Sequence, residues 1–392
     1  MRQSERALGA GRSRRTLMAG AFVAMAGLLG AAAPMSAHAE YTGVARTWLY
    51  NPVLNETVDA SQYKKEGPYV IGFSDASVSN FWRVAFRHAT LWAAEQHKDQ
   101  ISRFIVTDAQ DNPTKQIADI EDLLNQGVDL LIVSPTAEDA LDAIVGRAMK
   151  QGVPVVLVDR NVKSPGNYVS YVTSSAAACG RIEALWMAEK LGGKGSIVML
   201  GGIPGVSVAE TRIAAFKEVL ANFPDIKVLD FQWTDWDQGK TKDIMSALIQ
   251  KYGDQIDGVL TDTNVTGAAV VEAYLAAGKT GKEIPLVTGG DIAQMWQQAM
   301  THGFSAAGVD YPPAMGITAV EVALKVLDGQ TLPKTVLVHA PIIVTEGDDT
   351  ASVKGDVTPQ EFVNMNWPPD YATSNGLPAD YDPRTWVVKY PQ

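Results

Sequence analysis

The stretch Val153-Pro154-Val155-Val156-Leu157-Val158 stops abruptly on Asp159 and Arg160. Its Val and Leu residues mark a strand buried on both faces. A carboxylate beside a guanidinium at the end of such a strand is costly to bury unless something uses the pair. Similar endings recur along the chain. After YVIGFS (69–74) comes DASVSNFWR, with Asp75, Ser79, Asn80, Phe81, Trp82 and Arg83 at the start of a helix. SRFIVTD (102–108) ends on Asp108, and DLLIVS (129–134) ends on Ser134. Further on, GGIPGVSVAETR carries Arg212, WTDWDQGK carries Trp233 and Trp236, and TDTN carries Asp262, Thr263 and Asn264. GGD carries Asp291, and VDY carries Asp310 and Tyr311. Ligands of open α/β sheets bind beyond the carboxyl ends of the strands. Acids that accept from paired hydroxyls, forked guanidinium donors and flat rings at that edge suit a neutral polyhydroxylated molecule. No member carries this alone. Asp108, Asn112 and Asp291 also fit helix caps, Arg160 a structural ion pair with Asp159, the tryptophans a core, and Arg83 a solvated helix face. Their joint placement is the signal.

The elements that must position them alternate regularly. Short Val/Ile/Leu runs lie at 69–74, 102–108, 129–134, 154–159 and 168–172, then at 196–200, 226–231, 258–262, 285–291 and 305–310. Between most of them run amphipathic stretches such as PTKQIADIEDLLNQG (113–127), where Pro113 suits a first helical turn and Gly127 a helix end. Strand–helix–strand alternation gives parallel sheets with helices on both faces. So many strands fit two sheets of about five, divided just after YVSYV (168–172). The chain is therefore expected to be an α/β protein of two lobes, which also suits its length.

The flanks differ. Arg2, Arg6, Arg12, Arg14 and Arg15 precede an apolar stretch from Leu17 to Ala33, followed by Ala37-His38-Ala39. That order reads as an export signal over 1–39, and SRRTLM also looks like a twin-arginine signature. The signal holds five Arg and one Glu, which leaves 28 basic and 43 acidic residues, a net of −15. So acidic an exported chain is a poor partner for nucleic acid or an anionic membrane surface. The single cysteine, Cys179, excludes an internal disulfide and reads as a small buried hydrophobe. Residues 40–67 form an N-terminal extension. Residues 347–392, rich in Tyr, Trp, Pro and Asp, are expected to pack over a lobe, with a docking surface as the alternative.

From Tyr69 to about Thr345 the chain resembles the periplasmic sugar-binding proteins of bacterial ATP-driven importers, of the ribose- and galactose-binding type. The motifs are IGFSDASVSNFW, DAQDNPTKQIADIEDLLNQGVDLLIVSPT, GVPVVLVDRNV, GGIPGVSVAETRIAAFKEVL and VEAYLAAGKTGKEIPLVTGGD. The resemblance implies two Rossmann-like lobes joined by three crossovers, the first over 68–172 plus 311–339 and the second over 173–310 plus 340–346. It implies a monosaccharide enclosed between them, an ABC permease in the inner membrane as partner, a monomer in the periplasm, and no cofactor or metal. It carries ligand contacts to Ser79, Phe81, Trp82, Ser134, Asp159, Arg160, Arg212, Trp236, Thr263, Asp291 and Asp310. Arg83, following the aromatic pair, is similar to the galactofuranose-binding branch. Ser79, Ser134 and Thr263 stand where the ribose branch has Asn, Trp82 and Trp236 where it has Phe, and Asp310 where it has Gln. Ribose itself is therefore not implied. A sugar acid held by Arg83, or a polyol, stays open beside a neutral furanose or pentose.

An enzyme is the rival class. No nucleophile elbow or HExxH is present, and no two closely spaced His residues occur among His88, His97, His302 and His339. A glycosidase would need two carboxylates across one bond, for which Asp159 and Asp291 are the nearest candidates. A sensor presenting bound sugar to a chemoreceptor or kinase would share the site and differ only in surface.

Overall fold

The computed structural model describes residues 56–367 except 263, 264 and 291. The export signal, residues 40–55, Thr263, Asp291 and the tail beyond Trp367 lie outside the described residues. The described chain opens with β1 (Thr57–Asp59). Five strands then alternate with helices: β2 (Tyr69–Asp75), β3 (Ile101–Asp108), β4 (Leu130–Val133), β5 (Val155–Val158) and β6 (Ser170–Thr173). Five more follow: β7 (Lys194–Gly201), β8 (Asp225–Trp233), β9 (Gly258–Thr261), β10 (Leu286–Thr288) and β11 (Ala306–Val309). Last come β12 (Thr331–Pro333), β13 (Thr335–Leu337) and β14 (Ile342–Val344).

Two six-stranded sheets result, ordered β13-β6-β5-β4-β2-β3 and β14-β11-β10-β9-β7-β8. The first is parallel throughout, and in the second only the β14–β11 pair is antiparallel. All ten expected strands form. The sixth strand of each sheet comes from β13 and β14, whose three residues are too short to show periodicity in sequence. β1 pairs antiparallel with β12 beside the first sheet. Central strands β4, β5, β9 and β11 are buried throughout, whereas the edge strands β3 and β8 are only partly buried. That is why the central ones read as unbroken apolar runs.

Helices α1 (Phe81–Gln96), α2 (Pro113–Asn125) and α3 (Glu138–Lys150) flank the first sheet. The second is flanked by α4 (Ala176–Lys190), α5 (Ser207–Leu220), α6 (Gln238–Tyr252), α7 (Val265–Ala276) and α8 (Ala293–His302). α9 (Met315–Leu327) returns to pack on α1 and β5 of the first lobe. α2 starts as its sequence dictates: Asn112 caps Lys115 N at 3.1 Å, Pro113 fills the first turn, and Gly127 takes a positive φ of 75° after the last.

The chain passes between the lobes three times, after β6, after β11 and between β13 and β14. The three passes run side by side. Val338 N donates to Thr173 O at 2.9 Å, Ser174 Oγ to Val338 O at 2.8 Å, and Asp310 N to Pro341 O at 3.0 Å. Three short parallel connections permit rotation of one lobe on the other while resisting twist.

The described part of the tail lies on the second lobe. α10 (Pro359–Phe362) packs on α8, and Gln297 Nε2 donates to Trp367 O at 2.9 Å. Trp186 Nε1 donates to Asp348 O at 2.9 Å, and Lys190 Nζ lies 2.6 Å from the Asp348 carboxylate. Burial works to raise the Asp348 carboxyl, but donors from Lys190, Thr345 and Ser305 outweigh it and hold the group below the usual carboxylate range. A depressed native pKa contributes stability above the unfolded carboxylate value, lost as pH falls through the native one. Asp348→Asn is therefore expected to cost about 1–2 kcal/mol at pH 7. Urea unfolding should show the deficit closing below about pH 4.

Candidate site between the lobes

The register of the first sheet brings three polar strand ends together. Ser74 pairs with Val133 and Leu157 with Val133, so Asp75, Ser134 and Asp159 follow at neighbouring carboxyl ends. All three are buried. α1 supplies their counter-charges. Asn80 caps it by accepting from Arg83 N at 3.0 Å, which sets Trp82 and Arg83 in the first turn and Arg87 one turn further on. Arg83 is only 2 % exposed, which removes its reading as a solvated helix face. Its Nη1 donates to Asp159 Oδ2 at 2.8 Å, both Nη atoms reach Ser134 Oγ at 3.1–3.2 Å, and Nη2 lies 3.7 Å from Asp75. Arg87 Nε donates to Asp75 Oδ2 at 2.7 Å. Burial pushes the Asp75 carboxyl up, and Arg83 and Arg87 pull it back.

Asp159 has a φ of 65°, in the left-handed region that a non-glycine residue enters at a cost of about 1–2 kcal/mol. The turn directs its carboxylate to Arg83 while Arg160 Nη1 donates to Pro135 O at 3.3 Å. Arg160 Nε stands 3.6 Å from Asp159, and its guanidinium lies over the Trp236 ring at 5.5 Å, across the lobe boundary. Burial, then the neighbouring Arg83, brings Arg160 down to about 10, so it remains charged at neutral pH. Gln116 buttresses this wall: Nε2 donates to Ser134 O at 2.9 Å and Oε1 accepts from Thr136 N at 2.7 Å.

The second lobe answers with one tight cluster. Arg212, on α5, donates to Asp262 O at 3.1 Å and Oδ1 at 3.2 Å. Asp262 Oδ1 also accepts from Trp236 Nε1 at 2.8 Å, and Oδ2 from Gly202 N at 2.8 Å. Burial raises the Asp262 carboxyl, with Arg212 the largest opposing influence. Trp236 and Asp235 both hold positive φ, 52° and 57°, a double left-handed turn that lays the indole over Gly202. A Cβ at position 202 would fall on that indole. Gly202→Ala is accordingly expected to displace Trp236, break its hydrogen bond to Asp262 and weaken ligand binding at least tenfold, read by calorimetry, with the far-ultraviolet spectrum unchanged.

The other expected residues are placed as follows. Ser79 is exposed and hydrogen-bonds Ser77 at 3.0 Å; Phe81 is exposed. Trp82 is buried, with one face stacked on Phe86 at 5.3 Å and its Nε1 donating to Tyr311 O at 2.5 Å. Asp310 is buried on the second crossover. Asp75, Asp262 and Tyr311 stand at strand ends in the sequence, but the resemblance assigns them no role; the structure puts all three in the charged cluster. Arg87 has no signal beyond its spacing of four from Arg83. The lobes also touch through Asn161 N, which donates to Ser207 Oγ at 2.9 Å. Among the described residues no group of His, Cys, Asp and Glu is placed to hold a metal ion, and no helix is long and apolar enough to cross a membrane.

Two parallel-sheet lobes hinged by three crossovers and facing each other with polar strand ends define a hinged solute-binding protein. Residues 71–331 match the periplasmic binding protein domain, and the chain belongs to that family. It is similar to the ribose import binding protein of Bacillus subtilis, 29% identical over 273 residues that cover 70% of this chain and 86% of that protein. It is also similar to a xylitol-binding protein of Mycolicibacterium smegmatis, 35% identical over 179 residues, 46% of this chain and 50% of that one. Among solved structures, a galactofuranose binding protein superposes with a TM-score of 0.66 at 25% identity, covering 71% of this chain and 95% of that one.

Proposed function

We propose that this chain is the sugar-binding component of an ATP-driven importer, a monomer exported to the periplasm that encloses one neutral monosaccharide and presents its closed shape to a membrane permease. It carries out no catalysis and needs no cofactor. The observation that carries the choice of ligand is the charge balance between the lobes. Four arginines, Arg83, Arg87, Arg160 and Arg212, already face five carboxylates: Asp159 beside Arg83 and Arg160, Asp75 and Asp108 beside Arg87, Asp111 beside Arg160, and Asp262 beside Arg212. A sugar acid would bring a further negative charge to buried arginines that already have acid partners. A neutral sugar needs only directed hydrogen bonds.

In this mechanism Asp159, Arg160, Arg212 and Asp310 bond ring hydroxyls and Trp236 covers a C–H face. Phe81 and Ser79 close the rim; Thr263 and Asp291, outside the described residues, keep the sugar contacts that the resemblance assigns them. Arg83 and Ser134 act chiefly by holding the Asp159 carboxylate in place. Lobe closure removes water from these bonds, each worth roughly 1.5–3 kcal/mol when a charge takes part. Calorimetry of a neutral pentose or hexose against its aldonic acid tests the reading. The neutral sugar is expected to bind more tightly; tenfold tighter binding of the acid, about 1.4 kcal/mol, overturns it. Mass spectrometry of ligand carried through purification names the sugar, and loss of its uptake on deletion separates import from sensing.

A further inference from the structure

The two lobes finish one sheet edge in the same way. β3 and β8 are the edge strands, each paired in parallel with the strand that opens its sheet, β2 or β7. Each runs into two successive left-handed residues, Gln110 and Asp111 in lobe 1 (φ 56° for both), Asp235 and Trp236 in lobe 2 (57° and 52°). Backbone bonds tie the two turns down alike. Ala109 N donates to Asp75 O at 2.9 Å and Thr234 N to Gly201 O at 2.8 Å. Asn112 N donates to Ala109 O at 2.9 Å and Asp237 N to Thr234 O at 3.0 Å. Asn112 and Asp237 then cap α2 and α6. Asp111 therefore occupies in lobe 1 the place that Trp236 occupies in lobe 2.

The two turns meet on one side chain. The Arg160 guanidinium lies 5.5 Å from the centre of the Trp236 ring, and Asp111 Oδ1 stands 4.0 Å from Arg160 Nη1. A charged hydrogen bond between such groups runs at about 2.7–2.9 Å, so Asp111 and Arg160 face each other without closing one. No side-chain or backbone donor among the described residues bonds the Asp111 carboxylate, which is 34% exposed. A hydroxyl set beside the pair can donate to Asp111 and accept from Arg160 at once, at about 2.8 Å to each. The turn by itself does not ask for the charge. Glycine or asparagine enters left-handed backbone as readily, and Gln110 holds it uncharged.

We propose that Asp111 is a further sugar-binding residue, which accepts from a ligand hydroxyl bridged to Arg160 and so selects ligands that carry a hydroxyl at that position. This rests on the sugar-binding reading. Asp111→Gly keeps the left-handed backbone and removes the carboxylate, whereas Asp111→Asn keeps an acceptor oxygen without the charge. Calorimetry uses whichever of D-ribose, L-arabinose, xylitol or D-galactose the unmodified protein binds best, and the monodeoxy analogues of that compound. The parent compound is expected to bind Asp111→Gly roughly tenfold more weakly and Asp111→Asn about threefold more weakly. One deoxy analogue should carry a similar penalty in the unmodified protein and none beyond that of the parent in Asp111→Gly. Unchanged affinity of the parent for Asp111→Gly overturns the assignment. So does a uniform loss, with every deoxy penalty the same in variant and unmodified protein, the mark of a turn that has merely loosened. Failure of the unmodified protein to bind any of the four compounds overturns the sugar reading and this assignment with it, whereas either of the other two results overturns the assignment alone.

Discussion

Asp159→Ala is expected to abolish sugar binding and also to destabilise the protein by about 3–5 kcal/mol at pH 7. The double effect follows from what the carboxylate holds. Arg83 and Arg160 are both almost fully buried, and Asp159 lies 2.8 Å from the first and 3.6 Å from the second. Removing it leaves two guanidiniums in a low-dielectric cleft with Asp75 and Asp111 as the remaining acids, the latter 4.0 Å from Arg160. Alanine also tolerates the 65° φ poorly. Asp159→Asn separates the effects. Asparagine accepts left-handed backbone and keeps an acceptor oxygen for Arg83, so most of the stability should return. The affinity should stay about 10- to 150-fold down, the equivalent of one charged hydrogen bond at about 1.5–3 kcal/mol. Urea unfolding and calorimetry on the two variants decide it. Wild-type affinity in Asp159→Ala would remove the residue from the site.

The strain at Asp159 shows why some of this site was legible in sequence and some was not. VVLV followed by Asp-Arg announces itself, because a strand buried on both faces has no reason to end on two charges. The central strands are legible for the same reason, and β13 and β14 are not, since three residues at a sheet edge carry no period. Arg83 lies on a helix whose inward side is fixed only by packing. Its sequence alone fits a solvated face, and the structure buries it against Asp159. Trp236 needs two successive left-handed residues, Asp235 and Trp236, and neither is a glycine that would advertise the turn. Asp75, Asp262 and Tyr311 were visible as strand-end residues, but their importance depends on pairing across strands and the hinge. Sequence spacing does not encode that pairing. Strain and buried charge concentrate at functional sites because the surrounding fold over-determines them.

Arg212→Met should test the second wall as sharply as Asp159→Ala tests the first. Asp262 is fully buried, and Arg212 is the cation beside it at 3.2 Å. Methionine preserves much of the side-chain volume over the Tyr311 ring but leaves the carboxylate without its counter-charge, at an expected cost of about 3–5 kcal/mol at pH 7. The pH dependence identifies the cause. Burial already raises the Asp262 carboxyl above its ordinary value, and without Arg212 it must rise further. A native pKa above the unfolded one means that the native state binds more protons, so the contribution to stability is full below the unfolded carboxylate value and falls as pH rises through the native one. The deficit of Arg212→Met should therefore be smaller at pH 5 than at pH 7.5 in urea unfolding. Adding Asp262→Asn to the variant should recover part of it at the higher pH. A deficit equal at both pH values would show that the lost interaction is packing on Tyr311, and the charged pair would then have no part in setting the wall that faces the sugar.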